Sequence, residues 1–325
     1  MSARRIFSAA IDALVEAAVP ISFSRLGFET RRRLFGWDDL ASCNLTGRTI
    51  VVTGATSGLG FAAATRLASL GGSVEVVGRD EGRTRAARDR IAAAACSESV
   101  TAGVADLSSL TSTRRYASDV LSRHQRLDVL VHNAGALATT FERSVDGLEV
   151  TVAAHVVGPF LLTALVLPLL GATPDARVLT VSSGGAYLAR LDSAELDAGP
   201  EGFDGAKAYA RAKRGQVVLA EEWARRFGDR ATFHTMHPGW ADTPGLESAM
   251  PVFHRRTRRW LRTADQGADT LVWLTAGDDA LATNGRFWLD RRPRRTTRLP
   301  GTATSPDEAR RVWQWCEAHA GVKPR

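Results

Sequence analysis

A tyrosine and a lysine four residues apart, Tyr209 and Lys213, carry the strongest chemical signal in this 325-residue chain. That spacing places both side chains on one face of a helix. A phenol, whose ordinary pKa is about 10, can exchange protons near neutral pH when a neighbouring positive charge lowers its pKa. Lys213 can supply that charge. It is one of three lysines among 42 basic residues, and a compact ammonium is not interchangeable with a guanidinium.

A serine at the end of a predicted strand could complete this group. Ser183 follows a β-branched run at residues 177–182 and begins a Ser-Gly-Gly turn. Ligands of open parallel sheets bind beyond the carboxyl ends of the strands, so we expect the Ser183 hydroxyl to face the same site as Tyr209. By itself such a turn is common and mostly structural.

A glycine-rich turn between the first predicted strand and the helix after it predicts a phosphate-binding loop. Glycines permit a tight turn, and the free N–H groups of a helix N-terminus attract a pyrophosphate. The residues of this turn expected to hold a dinucleotide are Gly54, Thr56, Ser57, Gly58, Leu59 and Gly60.

The end of the second strand bears on the choice of cofactor. An NAD site has a carboxylate there for the ribose 2′-hydroxyl, whereas this chain has Gly78 followed by Arg79. Arg79 can pair with a 2′-phosphate, which favours NADP(H) over NAD(H). Asp80 keeps NAD(H) open, because its carboxylate could turn inward instead.

Two further strand ends are expected to touch the cofactor. Asp106, with Leu107 beside it, closes the third strand and could accept from the adenine amino group; the alternative is a helix cap for the residues from Ser108 onward. After the fourth strand, a turn of small residues would let the chain pass under the cofactor: Asn133, Ala134 and Gly135.

Strand and helix patterns alternate along the chain and would position these residues. Predicted strands lie at residues 49–53, 73–78, 100–105, 129–132, 177–182, 231–236 and 285–289. Predicted helices lie at residues 59–70, 83–95, 110–124, 148–170, 208–227 and 306–318. Repeated strand–helix units indicate an α/β fold, a doubly wound parallel sheet of about seven strands in a single domain. Residues 150–174 contain no Asp, Glu, Lys or Arg; a buried crossover helix is favoured there over a membrane span.

An N-terminal helical arm, residues 1–45, precedes the nucleotide-binding domain at residues 46–325. Ile6, Ala10, Leu14 and Ala17 recur at helical spacing, and we expect the arm to pack on the core. Attachment of the arm to an anionic membrane surface is the alternative.

Taken together, the motifs resemble those of the short-chain dehydrogenase/reductase family. The resemblance covers nearly the whole chain and extends to the run from Met236 to Gly245 and to Gln266–Thr270. It implies a Rossmann-type fold and NADP(H)-linked interconversion of a carbonyl and an alcohol. Tyr209 would be the acid/base, Ser183 would polarise the carbonyl, and Lys213 would hold the ribose.

The resemblance also assigns roles to the region after the sixth strand. Pro238 and Gly239 would shape the nicotinamide pocket, with Thr243 at the cofactor's amide or phosphate. Trp240, Met250 and Phe253 would lie in the substrate lid. Their apolar character suggests a lipophilic substrate, and core packing of the same residues is the alternative.

His155 is a departure from the family pattern, which has an asparagine at that place. The family's asparagine belongs to a proton relay that runs through lysine and water, partly through the main-chain carbonyl. Pro159 must interrupt the helix and free the carbonyl of His155; that carbonyl then needs a partner such as water. We therefore list His155 with the catalytic residues. An idle NADP(H)-binding sensor or scaffold protein is the alternative function.

Composition and net charge limit the other classes of function that this chain could have. The net charge of +7 could suit nucleic acid or an anionic membrane, but no aromatic-interleaved basic motif accompanies it, so we expect a solvated surface and no nucleic-acid partner. The three cysteines lie far apart, which argues against a disulfide scaffold or a metal module and suits the cytoplasm. We expect a small-molecule carbonyl or alcohol substrate; assembly into a homo-oligomer stays open.

Overall fold

A single mixed sheet of eight strands organises the structure. The computed structural model describes the backbone of residues 3–197 and 199–325, and the side chains of residues 7–197, 199–278 and 280–325. Along the sheet the strands follow the order β3-β2-β1-β4-β5-β6-β7-β8. Their bounds are β1 Thr49–Thr53, β2 Ser73–Gly78, β3 Val100–Val104, β4 Val129–His132, β5 Arg177–Val181, β6 Thr232–Met236, β7 Phe287–Leu289 and β8 Arg292–Arg294. The seven parallel strands confirm the predicted Rossmann-type doubly wound sheet.

Strand β8 lies outside the strands predicted from the sequence. It runs antiparallel to β7, and Asp290 and Arg291 form the two-residue turn with φ of 55° and 54°. Left-handed residues at both turn positions are typical of the tightest hairpins. Strand β7 also begins two residues later than predicted, because Gly285 has φ of 67° and so leaves the extended conformation.

Helices cover both faces of the sheet. Their bounds are α1 Ala3–Ala17, α2 Val19–Phe23, α3 Arg25–Phe35, α4 Gly58–Ser69, α5 Glu81–Ala95, α6 Leu110–Arg123, α7 Val150–Val152, α8 Gly158–Gly171, α9 Gly205–Phe227, α10 Pro244–Ala249, α11 Pro251–Thr257, α12 Ala264–Ala276 and α13 Pro306–Ala320. Helices α4, α5 and α12 bury one face of the sheet, and α6, α8, α9 and α13 bury the other. Each of these two faces has its own apolar core.

The long apolar segment is a core helix with an irregular turn. A π-helical stretch of five residues, Ala153–Val157, joins α7 to α8. It contains His155, whose carbonyl lies four residues before Pro159 and cannot be accommodated in a regular helical ladder. Val150–Gly171 is the one helix in the described part of the chain with the length and hydropathy to cross a membrane, and 83% of its most apolar window is buried inside the protein. The predicted interruption at Pro159 is therefore present.

Helices α1 to α3 form the N-terminal arm, which a buried charge cluster ties to the β7–β8 turn. Arg31 is fully buried and bonds Asp12, Glu16 and Asp290, each at 2.7 Å. Asp290 also bonds Arg262 at 2.6 and 2.9 Å. Burial alone would raise the pKa of Asp290, but Arg262 and Arg31 hold the pKa below its ordinary value. Helix α1 thus docks on the core through paired charges, because Ala10, Leu14 and Ala17 of the apolar stripe that the sequence suggested are exposed.

Candidate functional site

The glycine-rich turn is shaped for close approach of a phosphate group. Gly54 and Gly58 have φ of 66° and 55°, which only glycine adopts without strain. A Cβ on Gly60 would lie 2.4 Å from the amide nitrogen of Asn133. Helix α4 begins at Gly58, and its N-cap residue, Ser57, makes no side-chain cap. Its first N–H groups, including those of Leu59 and Gly60, therefore remain available to an anion.

Asn133 fastens this turn to the neighbouring strand β4. Its side-chain amide donates to the carbonyls of Thr53 and Gly54, both at 3.0 Å. The hydroxyl of Thr53 accepts from the main-chain N–H of Asn133 and of Ala134. A Cβ on Gly54 would meet Ala134 at 2.6 Å. The predicted small-residue turn therefore lies directly against the phosphate loop.

The end of β2 has no room for the carboxylate of an NAD site. A Cβ on Gly78 would lie 2.4 Å from the hydroxyl of Thr84 and 2.7 Å from the methyl of Thr56. Asp80 caps helix α5, because its carboxylate accepts from the N–H of Arg83 at 2.8 Å, so it does not turn inward. Arg79 is exposed, and the described residues give it no ion pair.

The carboxylate of Asp106 is partly engaged within its own turn. One oxygen accepts from the N–H and the hydroxyl of Ser108, at 2.9 and 2.6 Å, which matches the local alternative left open for this residue. Helix α6 itself has Ser109 as its N-cap. Leu107 is buried, and its carbonyl lies 2.1 Å from where a Cβ on Gly158 would be. Gly158 thus allows the long core helix to pack against the cofactor side of β3.

Ser183, Tyr209 and Lys213 converge beyond the carboxyl end of β5. Ser183 begins the turn after β5, where its hydroxyl oxygen accepts from the N–H of Gly185 at 3.1 Å and keeps its own proton free to donate. The ammonium of Lys213 donates to the carbonyl of Val181 at 2.8 Å and lies 5.5 Å from the centre of the Tyr209 ring. The predicted one-sided arrangement of Tyr209 and Lys213 on α9 is present.

Burial controls the ionisation of this group in the protein alone. It lowers the pKa of Lys213 to about 7. It also raises the pKa of Tyr209, with the Ser183 side chain opposing the shift. In the protein alone, burial therefore favours the protonated phenol and opposes protonation of Lys213. A cationic group bound next to both is needed for the activation that the sequence predicted.

The turn after β6 lies between the phosphate loop and the arm. Gly239 has φ of 74°, and a Cβ there would collide with the guanidinium of Arg262 at 2.4 Å. Arg262 also bonds the carbonyl of Pro238 at 3.2 Å. Thr243 caps α10, and its methyl lies 3.3 Å from where a Cβ on Gly58 would be. Pro238, Gly239 and Thr243 thus border the predicted cofactor site.

His155 lies behind Tyr209 and holds the loop after β4. The two rings meet edge to face with centroids 5.5 Å apart. The Nε2 atom of His155 accepts from the N–H of Ala136 at 3.0 Å, and a Cβ on Gly135 would touch the same ring at 2.6 Å. Burial, together with the charge on Lys213, holds the pKa of His155 well below its ordinary value. The imidazole is therefore a neutral acceptor that positions the loop.

Gln216 takes the partner position that sequence reasoning gave to water. Its side-chain amide donates to the carbonyl of His155 at 2.9 Å. A cavity of about 30 Å³ adjoins it, between α8, α9 and β5. Three buried atoms that have no hydrogen-bond partner among the described residues belong to side chains lining it: Nδ1 of His132, Nδ1 of His155 and Oε1 of Gln216. One water molecule fits this volume and these partners.

Phe23, in the arm, is a site residue that sequence reasoning missed. Its ring lies 2.6 Å from where a Cβ on Gly184 would be and meets the rings of His237 and Trp240 at centroid distances of 4.3 and 5.9 Å. Its carbonyl accepts from the N–H of Trp240 at 2.7 Å. The arm thus packs against both the turn after Ser183 and the turn after β6. No motif around Phe23 signals this contact.

Comparison with known proteins identifies the family. Residues 48–251 match the family model described as short chain dehydrogenase. The human protein named dehydrogenase/reductase SDR family member 12 is 40% identical over 286 residues, covering 87% of this chain and 89% of the relative. Mouse retinol dehydrogenase 14 is 30% identical over 295 residues, covering 85% and 86%.

Solved structures agree with this assignment. A crystal structure of an uncharacterized protein from Mycobacterium paratuberculosis superposes with a TM-score of 0.72 at 27% identity, covering 89% of this chain and 99% of that one. A short chain dehydrogenase from Shigella flexneri, crystallised with NADP, has a TM-score of 0.62 at 25% identity, covering 76% and 98%. The chain therefore belongs to the short-chain dehydrogenase family, as its motifs predicted, and is an oxidoreductase acting on CH–OH or carbonyl groups.

Proposed function

We propose that this protein uses NADP(H) to interconvert a carbonyl and an alcohol on a small lipophilic molecule, with Tyr209 as the acid/base. The observation that carries the proposal is the convergence of Ser183, Tyr209 and Lys213 at the sheet edge that also holds the glycine-rich turn. The proton donor, the hydroxyl and the ammonium then surround the position that the reacting group of a substrate beside a nicotinamide would take.

The residues around the phosphate loop fit NADP(H). The free N–H groups from Gly58 onward suit the pyrophosphate. At the ribose end, Thr84 and Thr56 exclude a carboxylate from position 78, and Arg79 is exposed and available for a 2′-phosphate. A relative of known structure was crystallised with NADP, which supports the same preference here.

The chemistry assigns one task to each side chain. The bound nicotinamide supplies or accepts the hydride. In the reducing direction Tyr209 gives its phenolic proton to the substrate oxygen, while the free hydroxyl proton of Ser183 polarises the carbonyl. Lys213, held by the carbonyl of Val181, places its ammonium beside the phenol and the ribose. It favours the phenolate that remains after proton transfer.

The lid residues suit a lipophilic substrate. Trp240 packs edge to face on Phe253, with centroids 5.2 Å apart, and Met250 is 43% exposed beside them. One relative is named retinol dehydrogenase 14. The substrate in that name, retinol, is lipophilic, as expected for a site with an apolar lid. We infer an aldehyde, ketone or alcohol with an extended hydrocarbon or aromatic body.

The test is turnover of a panel of lipophilic aldehydes, ketones and alcohols with both cofactors, repeated on the Tyr209→Phe variant. Loss of the proton donor should abolish turnover and leave the NADPH dissociation constant within about twofold. Tyr187→Phe is the matched control, because the Tyr187 hydroxyl bonds nothing in the part of the chain that the structure describes, and its loss should leave turnover unchanged. Full activity in Tyr209→Phe would show that the acid is a different residue.

A catalytically idle NADP(H)-binding protein is the second candidate, and one observation favours it. Gln216 already donates to the carbonyl of His155, so it competes for this acceptor with the water of the relay that the family pattern implies. Tight NADPH binding without turnover on any substrate of the panel would support this candidate.

A further inference from the structure

Helix α1 presents an inverted amphipathic surface, with its charges facing the protein and its apolar side chains facing outward. Its exposed residues between positions 7 and 17 are all apolar: Phe7, Ala9, Ala10, Ala13, Leu14 and Ala17. Phe7 and Leu14, one heptad apart, are 66% and 73% exposed. Ile6, which the sequence placed on the same stripe, lies outside the described side chains. We call this outward face of α1 the arm face.

The inward direction of the charges is fixed by strong contacts. Asp12 is buried and bonds Arg31 at 2.7 Å and Arg294 at 2.8 Å. Glu16 bonds Arg31 at 2.7 Å and also pairs with Arg298. Burial opposes ionisation of Asp12, but these arginines keep its pKa below the ordinary value. Rotating α1 to hide the arm face would leave buried arginines unpaired, at a high cost, so the apolar side must stay outward.

Exposed arginines follow α1 in the chain, and one of them, Arg32, is paired with Glu29 at 2.9 Å. On α2 and α3, Ile21 and Leu26 are 41% and 51% exposed, and Arg25, Arg32 and Arg33 are exposed beside them in sequence. Apolar and cationic side chains together are the composition of a helix that lies in the headgroup region of an anionic bilayer. A symmetric contact between two copies would instead bring the same arginines of both copies together.

The lid exposes side chains of the same two kinds. Phe23 and Trp240 connect the arm to the lid through the 2.7 Å hydrogen bond between them. The lid exposes Val252 and Trp260, at 50% and 53%, and its arginines 255, 256, 258 and 259 are exposed as well. Arm and lid thus carry the same combination of apolar and cationic groups.

We propose that the arm face docks this protein on an anionic lipid bilayer, with the arginines of α3 and of the lid against the phosphates. The exposed apolar side chains of α1 enter the acyl boundary, and the buried acidic residues stay with their arginine partners. The protein would then lie on the membrane and not span it. Docking of this kind requires no catalytic activity, so it can fail or succeed independently of the function proposed above.

Vesicle co-sedimentation tests the proposal. The full chain should pellet with vesicles of equal parts phosphatidylcholine and phosphatidylglycerol, should pellet less with phosphatidylcholine alone, and should be released as salt screens the arginines. Leu14→Glu should lower the partition coefficient for the anionic vesicles at least about tenfold, since it places a charge in the acyl boundary. Arg32→Gln combined with Arg33→Gln should weaken pelleting at low salt only.

Leu121→Glu provides the matched control, because Leu121 is another exposed helical leucine, at 44%, on α6. It should pellet like the native chain. Circular dichroism and the unfolding temperature of each variant verify that the fold is intact. Absence of the native chain from anionic vesicles at low salt would overturn the proposal. So would a concentration-dependent dimer that Leu14→Glu disperses, since a second copy would then cover the arm face.

Discussion

Replacing His155 by asparagine separates a positioning role of this residue from a role in proton transfer. The imidazole accepts the N–H of Ala136 at 3.0 Å and is buried against Gly135. Losing this hydrogen bond costs about 1 kcal/mol, because Ala136 is exposed and water can replace the acceptor. The lost ring volume adds about 1 kcal/mol. We expect His155→Asn to destabilise the protein by about 2 kcal/mol and to lower kcat by less than about tenfold.

The pH profile provides the sharper measurement. Burial holds the pKa of His155 well below 6.5, so the imidazole stays neutral across the working range and should contribute no limb to the profile. Lys213, whose pKa burial lowers to about 7, can contribute one. We therefore expect the profile of kcat/KM between about pH 5 and 9 to keep its shape in His155→Asn, measured by the absorbance of the reduced nicotinamide.

A buried histidine on β6, away from the turn after β4, supplies the control. The ring of His234 hydrogen-bonds the carbonyl of Ala280 at 2.9 Å, and burial lowers its pKa. His234→Asn should lose comparable stability and leave the KM for NADPH unchanged, whereas His155→Asn should raise that KM by a fewfold through the loosened loop. A limb near pH 6.5 in the native profile that disappears in His155→Asn would refute the reasoning, because the imidazole would then be carrying protons.

The other predictions concern cofactor choice, acid stability and the arm. Arg79→Ala should raise the NADPH dissociation constant by about tenfold or more, the scale of a charge-assisted hydrogen bond, and leave that for NADH unchanged; an equal effect on both would contradict the 2′-phosphate contact. Burial lowers the pKa of His132 and His237 to about 3 each. Below about pH 6.5 the unfolded chain therefore binds more protons than the folded protein, and the free energy of unfolding decreases as the pH is lowered. The loss should reach about 4 kcal/mol at pH 5 for the two together, measured by denaturant unfolding; a flat response between pH 7 and about 5 would count against it. Phe23→Ala should destabilise by about 3 kcal/mol or more and lower kcat more than it raises the KM for NADPH, because Phe23 packs on the turn after Ser183 and not on the phosphate loop; unchanged kcat would separate the arm from the site.

Local sequence signals predicted the sheet well because they depend on neighbours in the chain. The runs that form β1, β2 and β4 were predicted with the bounds observed, since a β-branched segment followed by a glycine-rich turn leaves few alternatives. The same reasoning located Ser183, Tyr209 and Lys213 at one edge, because the carboxyl ends of parallel strands share that edge. The predicted family, fold and enzyme class are confirmed.

Contacts between distant segments could not be predicted in this way. Arg31 meets Asp290 across 259 residues, and nothing near either residue indicates the other. Polar groups with two available partners were equally ambiguous: Asp80 proved to cap α5, and the carbonyl of His155 accepts from the side chain of Gln216. In each case the packing of two elements decides which partner forms the hydrogen bond, and the hydrophobic periodicity of the sequence does not predict that packing.

The bond between Arg31 and Asp290 also orders events during synthesis. Residue 31 leaves the ribosome 259 residues ahead of its partner, an interval on the order of 15 to 50 s at the usual rates of translation. Throughout that time the sheet can form from neighbouring units, while the acidic side of α1 has no β7–β8 turn to bind. The first segment made is therefore among the last to be fixed. Until the hairpin at Asp290 forms, Asp12 cannot pair with Arg294, and the arm has no fixed place on the core.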